Sequence, residues 1–155
     1  MKYIAYGSNM NLAQMAYRCP ASKVIGTGKL YGWKLVFKYH ADIINTGIET
    51  DVVPVVMWEI ADEDWKNLDR YEGYPKYYTR KTVNVVMDNG AEEKAVVYVM
   101  TDLRSNPELP TQSYFKIILD GCKDNGIDVS YLYDVLRNTY DDICDERMED
   151  YDEEE

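Results

Sequence analysis

The chain opens with a short run, Lys2-Tyr-Ile-Ala-Tyr6, that is apolar and aromatic after its first residue and stops at Gly7. Such a run predicts a buried strand over residues 2–6, and Asn9 or Asn11 is placed to cap a helix carrying Leu12, Met15 and Ala16 on its apolar face. Residues 23–31 and 33–39 are β-prone on either side of Gly32, which predicts a hairpin turning at Tyr31-Gly32. The valine-rich residues 52–60 predict another strand, with residues 40–51 as a long connection leading to it. Asp62 is placed to cap a helix through Trp65, Leu68 and Tyr71, which Gly73 and Pro75 then end. Residues 79–87 and 92–100 flank Asp88-Asn89-Gly90, and an Asn-Gly pair between alternating runs is the strongest short-range hairpin signal. After a polar, proline-bearing loop over residues 101–110 the period changes from two to helical. Tyr114, Ile117, Ile118 and Gly121 share one face, and a second helix over residues 130–140 follows the Asn125-Gly126 stop.

Strands with one early and one central helix, then strands, then a helical pair, indicate an α+β fold with a mainly antiparallel, curled or closed sheet. Strict strand-helix alternation is missing, which argues against a doubly wound parallel sheet. Length agrees: 155 residues suit one domain able to bury a core without disulfide or metal staples. The formal net charge of -11 is concentrated at the end. Residues 141–155 hold ten acidic residues against Arg147 alone, so the body, residues 1–140, carries only about -2. The expected organisation is one domain over residues 1–140 and a solvated, flexible acidic tail over 141–155.

Without a basic patch the chain is not expected to bind nucleic acid, because phosphate backbones are met by clustered Lys and Arg. Three widely spaced cysteines, Cys19, Cys122 and Cys144, form no C-x-x-C pair, which points away from a disulfide framework or zinc site and toward a reducing compartment. The opening apolar run is too short for a signal peptide and no later stretch approaches membrane-spanning length, so the expectation is a cytoplasmic protein without membrane contact.

Four stretches carry candidate chemistry. In Tyr6-Gly7-Ser8-Asn9-Met10, a glycine between strand and helix lets backbone approach a ligand, and N–H groups at a helix start attract an anion. An ordinary Asn-capped turn explains the same residues. In Leu68-Asp-Arg-Tyr-Glu-Gly-Tyr-Pro75, Glu72 stands among aromatic residues at a helix end, where apolar walls and the negative end of the helix dipole both raise proton affinity, as a general base requires. A solvent-exposed acid in a terminal turn is the plain alternative. Tyr71, Tyr74, Tyr77 and Tyr78 suit a pocket wall or ordinary packing equally. Ser8 and His40 invite a hydrolase reading, but Ser8 lacks the G-x-S-x-G elbow and His40 has no assignable acid partner. Gly26-Thr-Gly28-Lys-Leu-Tyr-Gly32 misses both nucleotide-loop spacings and reads as a β-turn region.

Taken in order, "YIAYGSNM", "GKLYGWKLVF", "LDRYEGYPKYY" and "YVMTD" followed by "PTQSYFKIILDGCKDNGI" make the sequence resemble the γ-glutamylcyclotransferase family, over most of residues 2–140. The resemblance implies a small closed or partly closed β-barrel flanked by helices, with no metal and no organic cofactor. It implies an enzyme that cleaves a γ-glutamyl amide by attack of the substrate's own α-amine, releasing 5-oxoproline and a free amine or amino acid. Carried over by position, Glu72 matches the catalytic glutamate. Tyr6, Gly7, Ser8, Asn9 and Met10 match the substrate-binding loop, their backbone N–H groups serving the α-carboxylate or the oxyanion, and Tyr114 matches a tyrosine bordering the site. His40 to Ile44 forms another wall, and Trp58 stands where many relatives have glycine. Residues 39–51 and 103–111 are expected to select the leaving group. A non-catalytic protein binding a γ-glutamyl or carboxylate metabolite in the same pocket is the alternative. The partner implied is a small molecule, and the sequence is compatible with a homodimer.

Overall fold

The computed structural model describes residues 1–101 and 106–154, with side chains described through Tyr151. Five strands close a barrel in the order β1 (Lys2–Ala5), β5 (Val52–Glu59), β2 (Lys23–Tyr31), β6 (Tyr78–Met87) and β7 (Glu92–Met100). Every pairing around it is antiparallel except the last, where β7 meets β1 in parallel with Tyr3 opposite Val96. The predicted α+β class with a closed, mainly antiparallel barrel is therefore the fold. Inward residues from each strand fill the interior: Ile4, Leu30, Val53, Val55, Met57, Val85 and Val97 are all buried. The Asn-Gly hairpin forms as predicted, with Met87 and Gly90 closing the turn between β6 and β7.

Residues 23–31 and 33–38 do not form the predicted hairpin. Both edges of β2 are already occupied, by β5 and β6, so the chain leaves the barrel at Gly32. There β3 (Trp33–Lys38) pairs with β4 (His40–Asn45) as a separate two-stranded sheet, in the stretch expected to be a connection. Their turn is a single residue, Tyr39, held at φ +70. A bulky side chain rarely adopts that conformation. Glu108 fastens the turn, accepting from the Tyr39 N–H at 2.9 Å and donating to the Phe37 carbonyl at 3.1 Å. Within that loop residues 102–105 lie outside the described residues.

Helices flank the barrel. A 3-10 turn, Ser8–Met10, follows β1, and Asn11 then caps α1 (Leu12–Arg18) through its side chain to the Gln14 N–H. Asp62 does not cap the central helix. A 3-10 turn, Asp62–Asp64, precedes α2 (Trp65–Glu72), and the buried Asp64 carboxylate instead accepts from the Ala21 N–H and the Ser22 hydroxyl, tying α2 to the α1–β2 connection. Gly73 ends α2 in the left-handed conformation at φ +64. The last helices are α3 (Gln112–Asp124) and α4 (Ser130–Glu154). The second of these helices runs past Tyr140 into the acidic residues. Among the described residues no helix is long and apolar enough to cross a membrane.

The contact between α3 and the Ser8–Met10 turn depends on Gly121. A Cβ there would stand 2.7 Å from the Asn11 nitrogen and 2.9 Å from the Met10 carbonyl carbon, so any larger residue pushes helix and turn apart. Asn125 completes the contact by donating to the Met10 carbonyl at 2.9 Å. Gly121→Ala is expected to lower stability by about 1–3 kcal/mol, read as a fall in the urea midpoint at unchanged slope.

Candidate active site

The turn after β1 and the end of α2 meet at one cavity of about 170 Å³. Its floor is Tyr6, Gly7, Ser8 and Asn9; α2 contributes Tyr71 and Glu72, and β4 contributes His40 and Ala41. Tyr3, Tyr78 and Tyr98 enter from the barrel strands and Tyr114 from α3. Most of these phenols are fixed through their hydroxyls, by groups on β7, β4 and α2. Tyr6 donates to the Tyr98 carbonyl at 2.7 Å, Tyr78 to the Ala41 carbonyl at 2.9 Å and Tyr98 to the Asp69 carboxylate at 2.5 Å, while Tyr114 accepts from the Ala41 N–H at 3.1 Å. Asp69 is in turn clamped by a bidentate ion pair from Arg80.

Glu72 is the last residue of α2, so its carboxylate lies at the negative end of the helix. The residue as a whole is half-buried, but its carboxyl group is surrounded by protein, and this desolvation pushes its pKa up to about 8. The nearby Arg18 charge pulls in the opposite direction. Asn9 connects the loop to this group, its Nδ2 donating to Glu72 Oε1 at 3.2 Å and to the Tyr3 hydroxyl at 3.1 Å.

The N–H groups of Gly7, Ser8 and Asn9 have no hydrogen-bond partner among the described residues, which leaves them available to a ligand. Met10 differs. Its N–H donates to the Gly7 carbonyl at 3.1 Å and its side chain is fully buried, so it supports the turn from below and does not line the cavity. The turn rests on Trp58, whose indole N–H donates to the Asn9 carbonyl at 3.0 Å.

Of the aromatic residues beside Glu72, Tyr71 and Tyr78 reach the cavity, whereas Tyr74 and Tyr77 are exposed outside its lining. Ser8 and His40 share the cavity, yet the Ser8 hydroxyl pairs with the Tyr71 hydroxyl at 2.9 Å, and the His40 ring packs edge-on against both Tyr39 and Tyr114. Sequence reasoning did not single out Tyr3, Tyr98 or Arg18. The two tyrosines belong to ordinary strand patterns, and only the register that brings β1 beside β7 shows that they meet, with their rings 5.7 Å apart.

The comparisons with known proteins agree with this geometry. Residues 3–116 match the family described as "Gamma-glutamyl cyclotransferase, AIG2-like". The Homo sapiens protein named "Gamma-glutamylcyclotransferase" is 30% identical over 162 residues, covering 96% of this chain and 85% of its own length. Its Mus musculus counterpart is 28% identical over the same span. A solved structure titled "Gamma-glutamyl cyclotransferase" superposes with a TM-score of 0.76 at 28% identity, over 87% of this chain and 85% of that one. With matched segments running from β1 into α3 and the barrel shared as well, the chain belongs to the γ-glutamyl cyclotransferase, AIG2-like family of enzymes.

Proposed function

We propose that this protein cleaves a γ-glutamyl amide by intramolecular cyclisation, releasing 5-oxoproline and a free amine or amino acid, with Glu72 as the proton carrier. One observation carries the reading: the Glu72 carboxylate and the donor-bearing turn at residues 7–9 open onto one small cavity, linked through Asn9. A folded γ-glutamyl group is of a size to fit there. Its α-amine lies at five-membered-ring distance from its own γ-carbonyl, so the substrate supplies the nucleophile and the protein has to hold the two together. Such positioning lowers a barrier by roughly 7 kcal/mol in favourable cases.

Glu72 takes a proton from the α-ammonium, the freed amine attacks the γ-carbonyl, and a tetrahedral oxyanion forms. Donors of the Gly7–Asn9 turn meet that oxyanion or the α-carboxylate. When the carbon–nitrogen bond to the leaving group breaks, the protonated Glu72 gives its proton to the departing nitrogen. In total two protons leave the α-nitrogen, which ends as a lactam N–H, and two reach the leaving group, which departs as an ammonium. A carboxylate with a pKa near 8 is matched to this exchange, being basic enough to accept from an ammonium and acidic enough to return the proton.

With a panel of γ-glutamyl amino acids and γ-glutamyl amines, at least one member should release 5-oxoproline; folded protein inactive on the whole panel would refute the reading. Glu72→Gln should fold, retain substrate binding by calorimetry and lose turnover by about 10²–10⁴. Ser8→Ala, losing one hydrogen bond to Tyr71, should cost about tenfold or less. Gly7→Val should cost more than Ser8→Ala in the same assay, since a Cβ there already stands 3.3 Å from the Ala41 side chain and 3.4 Å from the Tyr114 hydroxyl.

Burial of Glu72 also sets the pH dependence. The base is ionised only above its folded pKa, so kcat/KM should rise with pH up to about 8. The unfolded chain ionises this group from about 4.5, which favours unfolding progressively as pH rises from there to about 8. Glu72→Gln should therefore melt roughly 5 °C or more above the wild type at pH 9, with the difference vanishing below pH 4.5; equal melting temperatures at both pH values would contradict the buried carboxyl.

A further inference from the structure

Arg18, in the last turn of α1, stands on the far side of Asn9 from Glu72. One guanidinium nitrogen donates to Asn9 Oδ1 and another to Gln14 Oε1, each at 2.5 Å, while the guanidinium plane lies over the Tyr71 ring, 3.5 Å from its centroid. A single side chain thus joins the substrate loop, α1 and α2 at the point where loop and proton carrier meet. We propose that Arg18 is a positioning residue for the proton transfer: it locks the Asn9 amide with its NH2 toward Glu72 and supplies the positive charge behind that carboxylate. The inference rests on the reading of Glu72 as the proton carrier.

The chemistry of an amide makes the lock necessary. Asn has an acceptor end and a donor end, and with the acceptor turned toward Glu72 two oxygens would oppose one another. Arg18 carries donors only, so it selects the orientation in which both Asn9 hydrogens go to Tyr3 and Glu72. Lysine cannot reproduce this, because a point charge on a flexible stem cannot fork to two acceptors and stack on a ring at once.

The charge acts separately from the lock. The phenols facing Glu72 from β1, Tyr3, from the turn after it, Tyr6, and from α3, Tyr114, are held neutral by burial. On the other walls stand Tyr71 of α2, Tyr78 of β6 and Tyr98 of β7, with His40 on β4 as a second group able to carry positive charge. Arg18 opposes the desolvation that raises Glu72, and Glu72 in turn raises Tyr3, Tyr6 and Tyr114. His40 is common to the wild type and every Arg18 variant, so a difference between them isolates the arginine.

The test compares wild type, Arg18→Gln and Arg18→Lys, by the pH dependence of 5-oxoproline release and by carboxyl NMR titration of 13C-glutamate-labelled protein with the Glu72 signal assigned through Glu72→Gln. In Arg18→Gln the acid limb of kcat/KM and the Glu72 titration should both move up by about one pH unit, with kcat at least tenfold lower. Arg18→Lys should return the titration to within a few tenths of a unit of wild type yet leave kcat about tenfold down, because charge is restored without the fork. Superimposable titrations and equal kcat in either folded variant would overturn the inference. If the wild type itself releases no 5-oxoproline, the functional reading fails on its own. The NMR arm then decides the electrostatic half of the inference: a moved Glu72 titration upholds Arg18 as the charge behind that carboxylate and an unmoved one overturns it.

Discussion

Everything in the site turns on keeping one carboxyl group out of water at the end of a helix. On the cyclotransferase reading, desolvation without an opposing charge would raise the Glu72 pKa further and leave less of the group available as a base. A direct salt bridge would have the opposite fault, holding it so firmly ionised that it could not keep a proton from an ammonium. The structure takes neither extreme. An uncharged amide touches the carboxylate, and the compensating cation stands one residue further back, on the other end of that amide. With the charge at second remove, burial still prevails and the pKa stands near 8.

Such a group costs stability, and the surrounding architecture has to be firm enough to hold it. Buried phenols need partners, and those around the cavity find them in backbone carbonyls, a backbone N–H, the Asn9 amide and Asp69, so the walls are fixed before any ligand arrives. Tyr98 shows how far the support reaches: its hydroxyl is held by Asp69, one turn before Glu72 on α2, and Asp69 is held by Arg80 on β6. The barrel is thus connected to both sides of Glu72, at the helix through Asp69 and at the loop through Trp58. Strain at a functional site persists only when its surroundings over-determine it, and a closed barrel with no free edge is well suited to that task.

Barrel strands and the helix-ending glutamate were legible because each is written locally, in alternating valines, an Asn-Gly turn and a Gly73 stop. The Tyr31-Gly32 turn misled because a strand run followed by glycine and another strand run carries no statement about whether the first strand's edges are free. The β3–β4 hairpin was missed for a related reason: its turn is a lone Tyr39 at positive φ, with no glycine, asparagine or aspartate to announce it. Asp62 and Asp64 could not be told apart by pattern, since buried acceptance from Ala21 and Ser22 is a long-range contact. Tyr6, Gly7, Ser8, Asn9, Tyr114 and Glu72 do converge on one cavity, but Met10 shows the limit of carrying a motif over whole: four adjacent residues line the site and the fifth builds the turn beneath it. Arg18 left no signal at all, because an arginine at a helix end near a turn is what a favourable dipole interaction also requires.

On the cyclotransferase reading, a substrate that brings its own nucleophile changes what the protein must supply in its geometry. No serine or cysteine has to be activated, so the reacting atoms need only confinement, a proton carrier and donors for the developing charge. All three are supplied by β1, the turn after it and the end of α2. Another wall is built differently, with His40 beside a strained Tyr39 on the small β3–β4 sheet, which packs on the barrel without belonging to it. On the cyclotransferase reading, the cavity of about 170 Å³ takes up the γ-glutamyl part and the leaving group points out past this sheet. Residues of β3 and the loop that fastens Tyr39 can then change without disturbing the contact that sets Glu72 against Asn9, while Ala41 of β4 stays tied to Tyr78 and Tyr114.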